Sequence, residues 1–331
     1  MDLPLKPPIQ PQLARSRKTL PEGGGHAYEP KYDGFRALAF LDGEDLFLQS
    51  RGGKPLARYF PELRFPASAG EGYVIDGELV ILDAEGSEVF DALQNRIHPA
   101  ESRVNRLAGE TPAIFRAFDL LARGGERVLA RPFSERRAAL AELIRDMEGA
   151  AEGGPGGWRA GTVELTPLTL DAEVAAPWLQ MGEGVIAKEL DAPYRPGERK
   201  GMAKIKRVRT IDAVVVGWRP GKAEGTVGSL ILGLYDGEEL RVVGHTSGLR
   251  AQEKRDLVWR LAPYETGERG SADPSRWAAD RDLEWIDLRP ELVVEISFDH
   301  VSAGRIRHGA KIVRWREDKA PAACTTDQLD L

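Results

Sequence analysis

The stretch Glu29-Pro30-Lys31-Tyr32-Asp33-Gly34-Phe35-Arg36 sets one lysine among charges that can tune it. A lysine amine is protonated near neutral pH and must shed that proton before it can attack an electrophile. Nearby positive charge or desolvation favours the neutral form. Arg36 or a bound metal would supply such a field, and Gly34 would let the backbone approach a ligand closely. Covalent catalysis by Lys31 is the chemistry this stretch suggests. Alone the pattern is weak, because a lysine beside an aspartate is ordinarily a solvated surface pair. Its weight comes from matching islands farther along.

The elements that must position these groups can be read from periodicity and turn chemistry. Residues 1–26 are Pro-rich and read as irregular. From Tyr28 to Leu48 the pattern predicts two strands joined at Asp42-Gly43. Tyr73–Leu82 reads as a buried strand, Val89–Ile97 as a short helix and Ala113–Leu121 as another strand. Ser134 is expected to cap a helix running to about Met147, with Leu140, Leu143 and Ile144 on its apolar face. Residues 148–157 read as a loop, and they lack the Gly-Lys-Ser/Thr ending of a phosphate-binding loop. Strands are expected at Val163–Leu165, Gly184–Lys188 and Ala203–Lys206, with a helix over Asp171–Met181. Gly182-Glu183-Gly184-Val185-Ile186-Ala187 has dinucleotide-fingerprint spacing, but a helix precedes it and a β-branched run follows, so it is rejected as one.

After Arg209 the character changes. Ile211–Trp218, Ser229–Tyr235, Leu240–Gly244 and Leu292–Phe298 are short β-rich runs, with one helix over Ala251–Leu261. A small barrel of about five strands fits this half. The expected fold class is α+β, with a domain over residues 1–209 followed by an all-β domain over 210–331.

Composition narrows the function classes. The 331 residues are 42% hydrophobic and 30% charged, as in a globular protein with a sizeable core. No apolar run approaches the roughly 20 residues that span a bilayer, and the N-terminus has no signal core. A single cysteine, Cys324, excludes an internal disulfide framework and a multi-cysteine zinc site; a cytoplasmic protein is expected. The net charge of −6 argues against a uniformly basic nucleic-acid binder. Yet residues 198–222 carry eight Lys/Arg against Glu198 and Asp212, and residues 303–319 carry six against Glu317 and Asp318. Such clusters suit an anionic ligand. His98, His245, His300 and His308 lack ligand spacing. Trp218, Trp259, Trp277, Trp285 and Trp315 read as core or rim of the barrel, and Cys324 as a buried or tail thiol.

In order, the islands are Lys31 to Arg36, Ser50-Arg51-Gly52-Gly53, Val74-Ile75-Asp76-Gly77-Glu78-Leu79, Phe115 to Leu121, Glu183 to Lys188, Lys204-Ile205-Lys206 and Arg314-Trp315-Arg316-Glu317-Asp318-Lys319. Together they resemble the covalent nucleotidyltransferase superfamily of ATP-dependent DNA ligases, RNA ligases and mRNA capping enzymes. Within it the chain is most similar to the bacterial ligase-C type of ATP-dependent DNA ligase. That closer resemblance lies in Gln49-Ser50-Arg51, Arg58 to Leu63, Ala92 to Pro99, Tyr194-Arg195-Pro196-Gly197, Leu288 to Glu295 and Cys324 to Leu329.

The resemblance implies a nucleotidyltransferase (adenylation) domain followed by an OB-fold domain. It implies Lys31 as the nucleophile on the α-phosphate of ATP, giving lysyl-AMP, then a DNA-adenylate, then a sealed nick in duplex DNA. Lys204, Lys206 and Lys188 would contact phosphate. Glu78 and Glu183 would be carboxylates for Mg2+ (or Mn2+), Glu78 alternatively holding the ribose. Arg36 would face the ribose, Arg51 the ribose or the nick 5′-phosphate, and Phe118 would stack on adenine. Glu29 sits where the family reads the adenine edge, mostly through backbone. Arg314, Arg316 and Lys319 would orient pyrophosphate during the first step. Met202 stands where relatives often carry a bulkier residue.

The implied enzyme is a monomeric minimal core, with 30 residues before Lys31, nucleoid-associated in the cytoplasm and working beside DNA-repair proteins. An RNA ligase or a capping-type nucleotidyltransferase is the alternative. An NAD-dependent ligase would need an N-terminal extension and a cysteine zinc module. A non-catalytic nick-binding scaffold would have lost Lys31, Glu78 or Lys204.

Overall fold

The chain forms a strand where none is expected. Arg15–Arg17 (β1) runs parallel to Ala203–Ile205 near the other end of the first unit. The computed structural model describes residues 2–65, 71–151, 163–206, 209–271, 284–299, 301–302, 304–307 and 309–330. Two units follow one another along the chain, Met1–Arg207 and Val208–Leu331.

In the first unit β1 is followed by strands His26–Pro30 (β2), Phe35–Asp42 (β3), Asp45–Ser50 (β4) and Tyr73–Val80 (β5), then helices Phe90–Arg96 (α1) and Glu101–Glu110 (α2). Next come strands Ile114–Arg123 (β6) and Glu126–Arg127 (β7), helix Phe133–Ala151 (α3), strand Val163–Leu165 (β8) and helices Ala172–Ala175 (α4) and Trp178–Met181 (α5). Strands Val185–Glu189 (β9) and Met202–Ile205 (β10) close the unit. One sheet has the order β1-β10-β9-β2, and the other β4-β3-β5-β6-β7 with β8 beside β6.

The expected strand from Tyr28 therefore breaks at Lys31–Gly34, and its halves join different sheets. Gly34 explains the break. A Cβ there would lie 2.1 Å from the Leu79 carbonyl oxygen and 2.8 Å from Glu78 Cγ. Glycine at this position lets the turn press against β5. The hairpin at Asp42-Gly43 forms as expected, Asp42 facing Asp45 across a two-residue turn with Gly43 at φ 61°.

β5 is buried at seven of its eight positions, because both faces of its sheet are covered. Leu140, Leu143 and Ile144 of α3 pack on one face with Ile75, Leu79 and Phe115. Leu3, Leu5 and Tyr194 cover Leu38, Phe40 and Val74 on the other. Each fully buried leucine or phenylalanine contributes roughly 1.5–3 kcal/mol.

Several boundaries differ from expectation. α3 begins at Phe133, so Ser134 lies inside its first turn, and its N–H donates to the Leu190 carbonyl at 3.0 Å. The helix continues to Ala151; residues 152–157 of the expected loop lie outside the described residues. The single helix expected over Asp171–Met181 is two short ones, capped by Asp171, which accepts from the Glu173 N–H at 2.8 Å, and interrupted at Ala176-Pro177. α2 is an addition, burying only Val104 and Ala108.

The second unit comprises strands Arg209–Pro220 (β11), Val227–Asp236 (β12) and Glu239–His245 (β13), helix Ala251–Leu261 (α6) and strands Glu265–Gly270 (β14), Trp285–Leu288 (β15) and Val293–Phe298 (β16). The pairs Val301–Ser302 (β17) and Arg305–Ile306 (β18) and the strand Lys311–Trp315 (β19) follow. Its main sheet has seven strands rather than about five, in the order β13-β12-β11-β15-β14, with β16 joining β11 to β19. Trp218 and Trp285 are buried and Trp315 packs against the core, but Trp259 is 82% exposed on α6 and belongs to neither core nor rim. Trp277, His300 and His308 lie outside the described residues. Cys324 is fully buried, and desolvation pushes its thiol up to about 11. Among the described residues no helix is long and apolar enough to cross a membrane.

Candidate active site

A cavity of about 230 Å³ in the first unit is lined from both of its sheets, by Glu29, Lys31, Arg36, Arg51, Glu78, Phe118, Lys188 and Lys204 among others. Residues drawn from six separated islands thus share one pocket.

Lys31 sits in the turn after β2. Its N–H donates to the Gly184 carbonyl at 2.9 Å, which ties the turn to the start of β9. Its Nζ donates to the Tyr32 carbonyl at 3.1 Å and lies 3.9 Å from Glu183 Oε2. Gly184 adopts φ 129°, and a Cβ there would fall 2.1 Å from the Ile205 carbonyl oxygen. That close approach pairs β9 with β10 and sets Lys204 opposite Ile186, both lining the pocket. β10 ends at Ile205, so Lys206 falls just past the strand and is not among the lining residues.

Arg36 is held differently from the expectation that it supplies Lys31 with an open positive field. Its Nε and Nη2 donate to the two oxygens of the fully buried Asp76 carboxylate, each at 2.6 Å. Burial opposes the Arg36 charge, but pairing and hydrogen bonding with Asp76 raise its pKa. The guanidinium carbon lies 4.5 Å from the centre of the Phe118 ring.

The Phe118 ring also meets Lys188, whose Nζ is 4.6 Å from its centre. Lys188 is expected to reach a phosphate, and the structure places its ammonium against a carboxylate. Its ammonium pairs with Glu29 Oε2 at 2.7 Å and donates to the Phe118 carbonyl at 3.1 Å, at the aromatic end of the pocket. Desolvation lowers the Lys188 pKa and raises that of Glu29, each partner opposing the other's shift. Glu29 Oε1 is buried and has no hydrogen-bond partner among the described residues; Arg137 Nη1 lies 3.7 Å away.

Around Lys31 the field is acidic. Burial pushes the Glu78 carboxyl up to about 7, against the pull of Arg36 and Lys31 and with Asp76 and Glu88 reinforcing the rise. Burial also raises Glu88, whose Oε2 accepts from the Asp33 N–H at 2.6 Å and so holds the turn after Lys31. Among the described residues no group of three or more His, Cys, Asp or Glu side chains could hold a metal unaided. Glu78 and Glu183 are hard oxygen donors of the kind magnesium takes in ones and twos beside substrate phosphates and water.

Arg314, Arg316 and Lys319 belong to the second unit, where each has an acidic partner. Arg314 pairs with Glu295 at 2.6 Å. Arg316 donates twice to Asp212 at 2.9 Å and twice to Asp318 at 2.8 Å, while Lys319 lies 3.7 Å from Asp212.

Sequence reasoning missed the pocket wall formed by Pro11 to Ala14 and by Arg199, as well as Tyr32, Glu88 and Arg137. Arg199 has a signal in the basic run that follows Tyr194-Arg195-Pro196-Gly197. Gln12 and Leu13 have none, because their docking depends on contacts with residues 194–200.

Comparison with known proteins gives consistent results. Residues 11–206 match the ATP dependent DNA ligase domain family and residues 223–319 the ATP dependent DNA ligase C terminal region. The chain is 43% identical over 348 residues to DNA ligase C1 of Mycolicibacterium smegmatis, covering 100% of this chain and 96% of that protein. It is 41% identical over 355 residues to DNA ligase C of Mycobacterium tuberculosis, again covering 100% and 96%. Among solved structures, a mycobacterial DNA ligase D complexed with ATP and MES aligns over 96% of this chain and 98% of its own, with 30% identity and a TM-score of 0.51.

Proposed function

The chain belongs to the ATP-dependent DNA ligases, of bacterial ligase-C type, and on that premise we propose that Lys31 carries the adenylyl group from ATP to the nick. The enzyme seals nicks in DNA using ATP. Its first unit has the nucleotidyltransferase-like fold and its second is the all-β C-terminal region of the family.

In the proposed sequence Lys31 Nζ attacks the α-phosphorus, a P–N bond forms and the P–O bond to pyrophosphate breaks. A 5′-phosphate oxygen at the nick then attacks the same phosphorus and the P–N bond breaks, returning a free amine. The 3′-hydroxyl finally attacks the 5′-phosphate, and AMP leaves. Each displacement depends on alignment and on charge neutralisation around phosphate oxygens.

The residues divide by the part of the nucleotide they face. Lys204 takes the α-phosphate, with Lys206 at its margin and Arg199 and Arg51 toward the nick phosphate. Arg36 faces the ribose, and Phe118 stacks on the base, with Lys188 and Arg36 lying over its ring. We assign Lys188 to holding Glu29, and Glu29 Oε1 to accepting from the adenine amine. Glu78 and Glu183 would hold Mg2+, which would neutralise charge on the phosphates. To Arg314, Arg316 and Lys319 of the second unit we assign, on the family resemblance, the orientation of pyrophosphate in the first step. Division into an adenylation domain (1–209) and an OB-fold domain (210–331) is supported by the two compact units. We further propose a cytoplasmic monomer that meets other repair proteins at nicks.

The observation that carries the reading is the convergence of Lys31, Glu78, Phe118, Lys188 and Lys204 on one pocket. Incubation with ATP labelled at the α-phosphate, then denaturation, tests it. Wild-type protein retains label and Lys31→Ala does not, while Lys31→Ala still seals a pre-adenylated nick. Label retained on the alanine variant overturns the assignment.

A further inference from the structure

Tyr194 lies outside the pocket lining, yet it touches what holds the pocket's arginine. The side chain is 4% exposed. Its hydroxyl donates to Asp76 Oδ2 at 2.6 Å and accepts from the Gln12 N–H at 2.9 Å. Asp76 Oδ2 also accepts from Arg36 Nη2 at 2.6 Å, and Oδ1 from Arg36 Nε at 2.6 Å. One hydroxyl therefore joins two walls of the site, the Arg36 guanidinium over Phe118 and the strap around Gln12. The strap is fastened at two further points. Gln12 Nε2 donates to the Lys200 carbonyl at 2.5 Å, and the Leu13 N–H to the Glu198 carbonyl at 2.9 Å.

We infer that Tyr194 is a positioning residue for the first chemical step: its hydroxyl fixes the Asp76 carboxylate, and with it the Arg36 fork, in register with the strap that walls the nucleotide. The inference rests on the reading of Arg36 as the ribose contact. Asp76 accepts three side-chain hydrogen bonds without exposure to water. Removing the Tyr194 donor frees one lone pair and leaves the Gln12 N–H without an acceptor, so the carboxylate and the arginine can turn together. A guanidinium held at both ends reads a ribose hydroxyl by direction, and one free to turn binds the sugar without regard to it. The raised pKa of the Tyr194 hydroxyl, caused by burial and then by Asp76, agrees with a phenol that stays a donor throughout the working pH range.

The test compares self-adenylation of the full chain with ATP and with 2′-deoxy- and 3′-deoxy-ATP, for wild type, Tyr194→Phe, Asp76→Asn and Arg36→Lys, with melting temperatures recorded alongside. Tyr194→Phe should raise KM for ATP about tenfold with kcat changed less than about twofold, and should reduce discrimination against the deoxynucleotides about tenfold. Asp76→Asn should do the same, which covers the case in which the phenylalanine variant folds poorly. Loss of discrimination in Arg36→Lys but not in Tyr194→Phe or Asp76→Asn overturns the inference and leaves the ribose reading standing. Discrimination unchanged in Arg36→Lys overturns the ribose reading itself. A role for Tyr194 in folding alone would lower the melting temperature and the active fraction while leaving the discrimination ratio at its wild-type value, and that result also overturns the inference.

Discussion

Lys188 and Glu29 meet in the wall of the first unit's pocket, Nζ to Oε2 at 2.7 Å, with both side chains almost wholly shielded from water. A pair desolvated to this degree adds little net stability while intact but is costly to break from one side. Lys188→Met should therefore destabilise the protein by about 3–5 kcal/mol, because it leaves a buried carboxylate facing only the more distant Arg137. The double variant with Glu29→Gln should recover most of that loss. Urea denaturation of the three proteins decides the matter; a single variant as stable as wild type would mean that water already reaches the carboxylate.

The second oxygen of Glu29 bears on the choice of base. It is buried without a hydrogen-bond partner among the described residues, and adenine offers an exocyclic amine where guanine presents a carbonyl. A carboxylate there accepts from the first and repels the second. Glu29→Gln, which can also donate, should reduce the preference for ATP over GTP in self-adenylation by about 10- to 100-fold. An unaltered preference would assign base reading to backbone groups, as the family resemblance alone implies.

Glu78 makes the pH dependence of stability a diagnostic. Its folded pKa, about 7, stands above the 4.5 of an unperturbed glutamate, so folding favours the protonated form. The stability this provides is complete below about 4.5 and is lost as pH rises through about 7. In metal-free protein the melting temperature of wild type relative to Glu78→Gln should fall across that window. A difference that stays flat with pH would show that the carboxylate is ionised throughout.

In the second unit the Asp212 carboxylate holds two cations at once, accepting from Arg316 Nη1 at 2.9 Å and lying 3.7 Å from Lys319 Nζ. Asp212 is itself steadied by Gln328, which donates to its carbonyl at 3.2 Å and accepts from its N–H at 3.0 Å. Asp212→Asn should loosen the Arg316 fork, which Asp318 alone would then orient. Self-adenylation should slow by about tenfold, with sealing of a pre-adenylated nick much less affected. Equal losses in the two assays would limit Asp212 to a structural role.

Much of the site is legible in the sequence because its chemistry needs particular side chains beside particular turns. Lys31 three residues before Gly34, Glu78 after glycine and Glu183 before glycine are local patterns. Gly34 and Gly184 are glycines for a reason that local patterns hide. Each lets the chain just before a strand come within contact of a neighbouring strand's backbone, at Leu79 in one case and Ile205 in the other. The partner of Lys188 is hidden on similar grounds: a lysine near phosphate-binding motifs reads as a phosphate ligand, and its buried pairing with Glu29 has no local signature.

The amino-acid order alone determined which groups are available for chemistry, where most strands and helices run, and that two differently built halves follow one another, since these depend on neighbours a few residues apart. Only the tertiary structure decided the pairing of β1 with β10, the Glu29–Lys188 ion pair, and the link from Gln12 through Tyr194 and Asp76 to Arg36. Those contacts join residues 118 and 182 positions apart in the cases of Asp76–Tyr194 and Gln12–Tyr194. Their partners are selected by burial, which makes an unpaired polar group costly wherever the fold encloses one, and no local pattern records where that enclosure occurs.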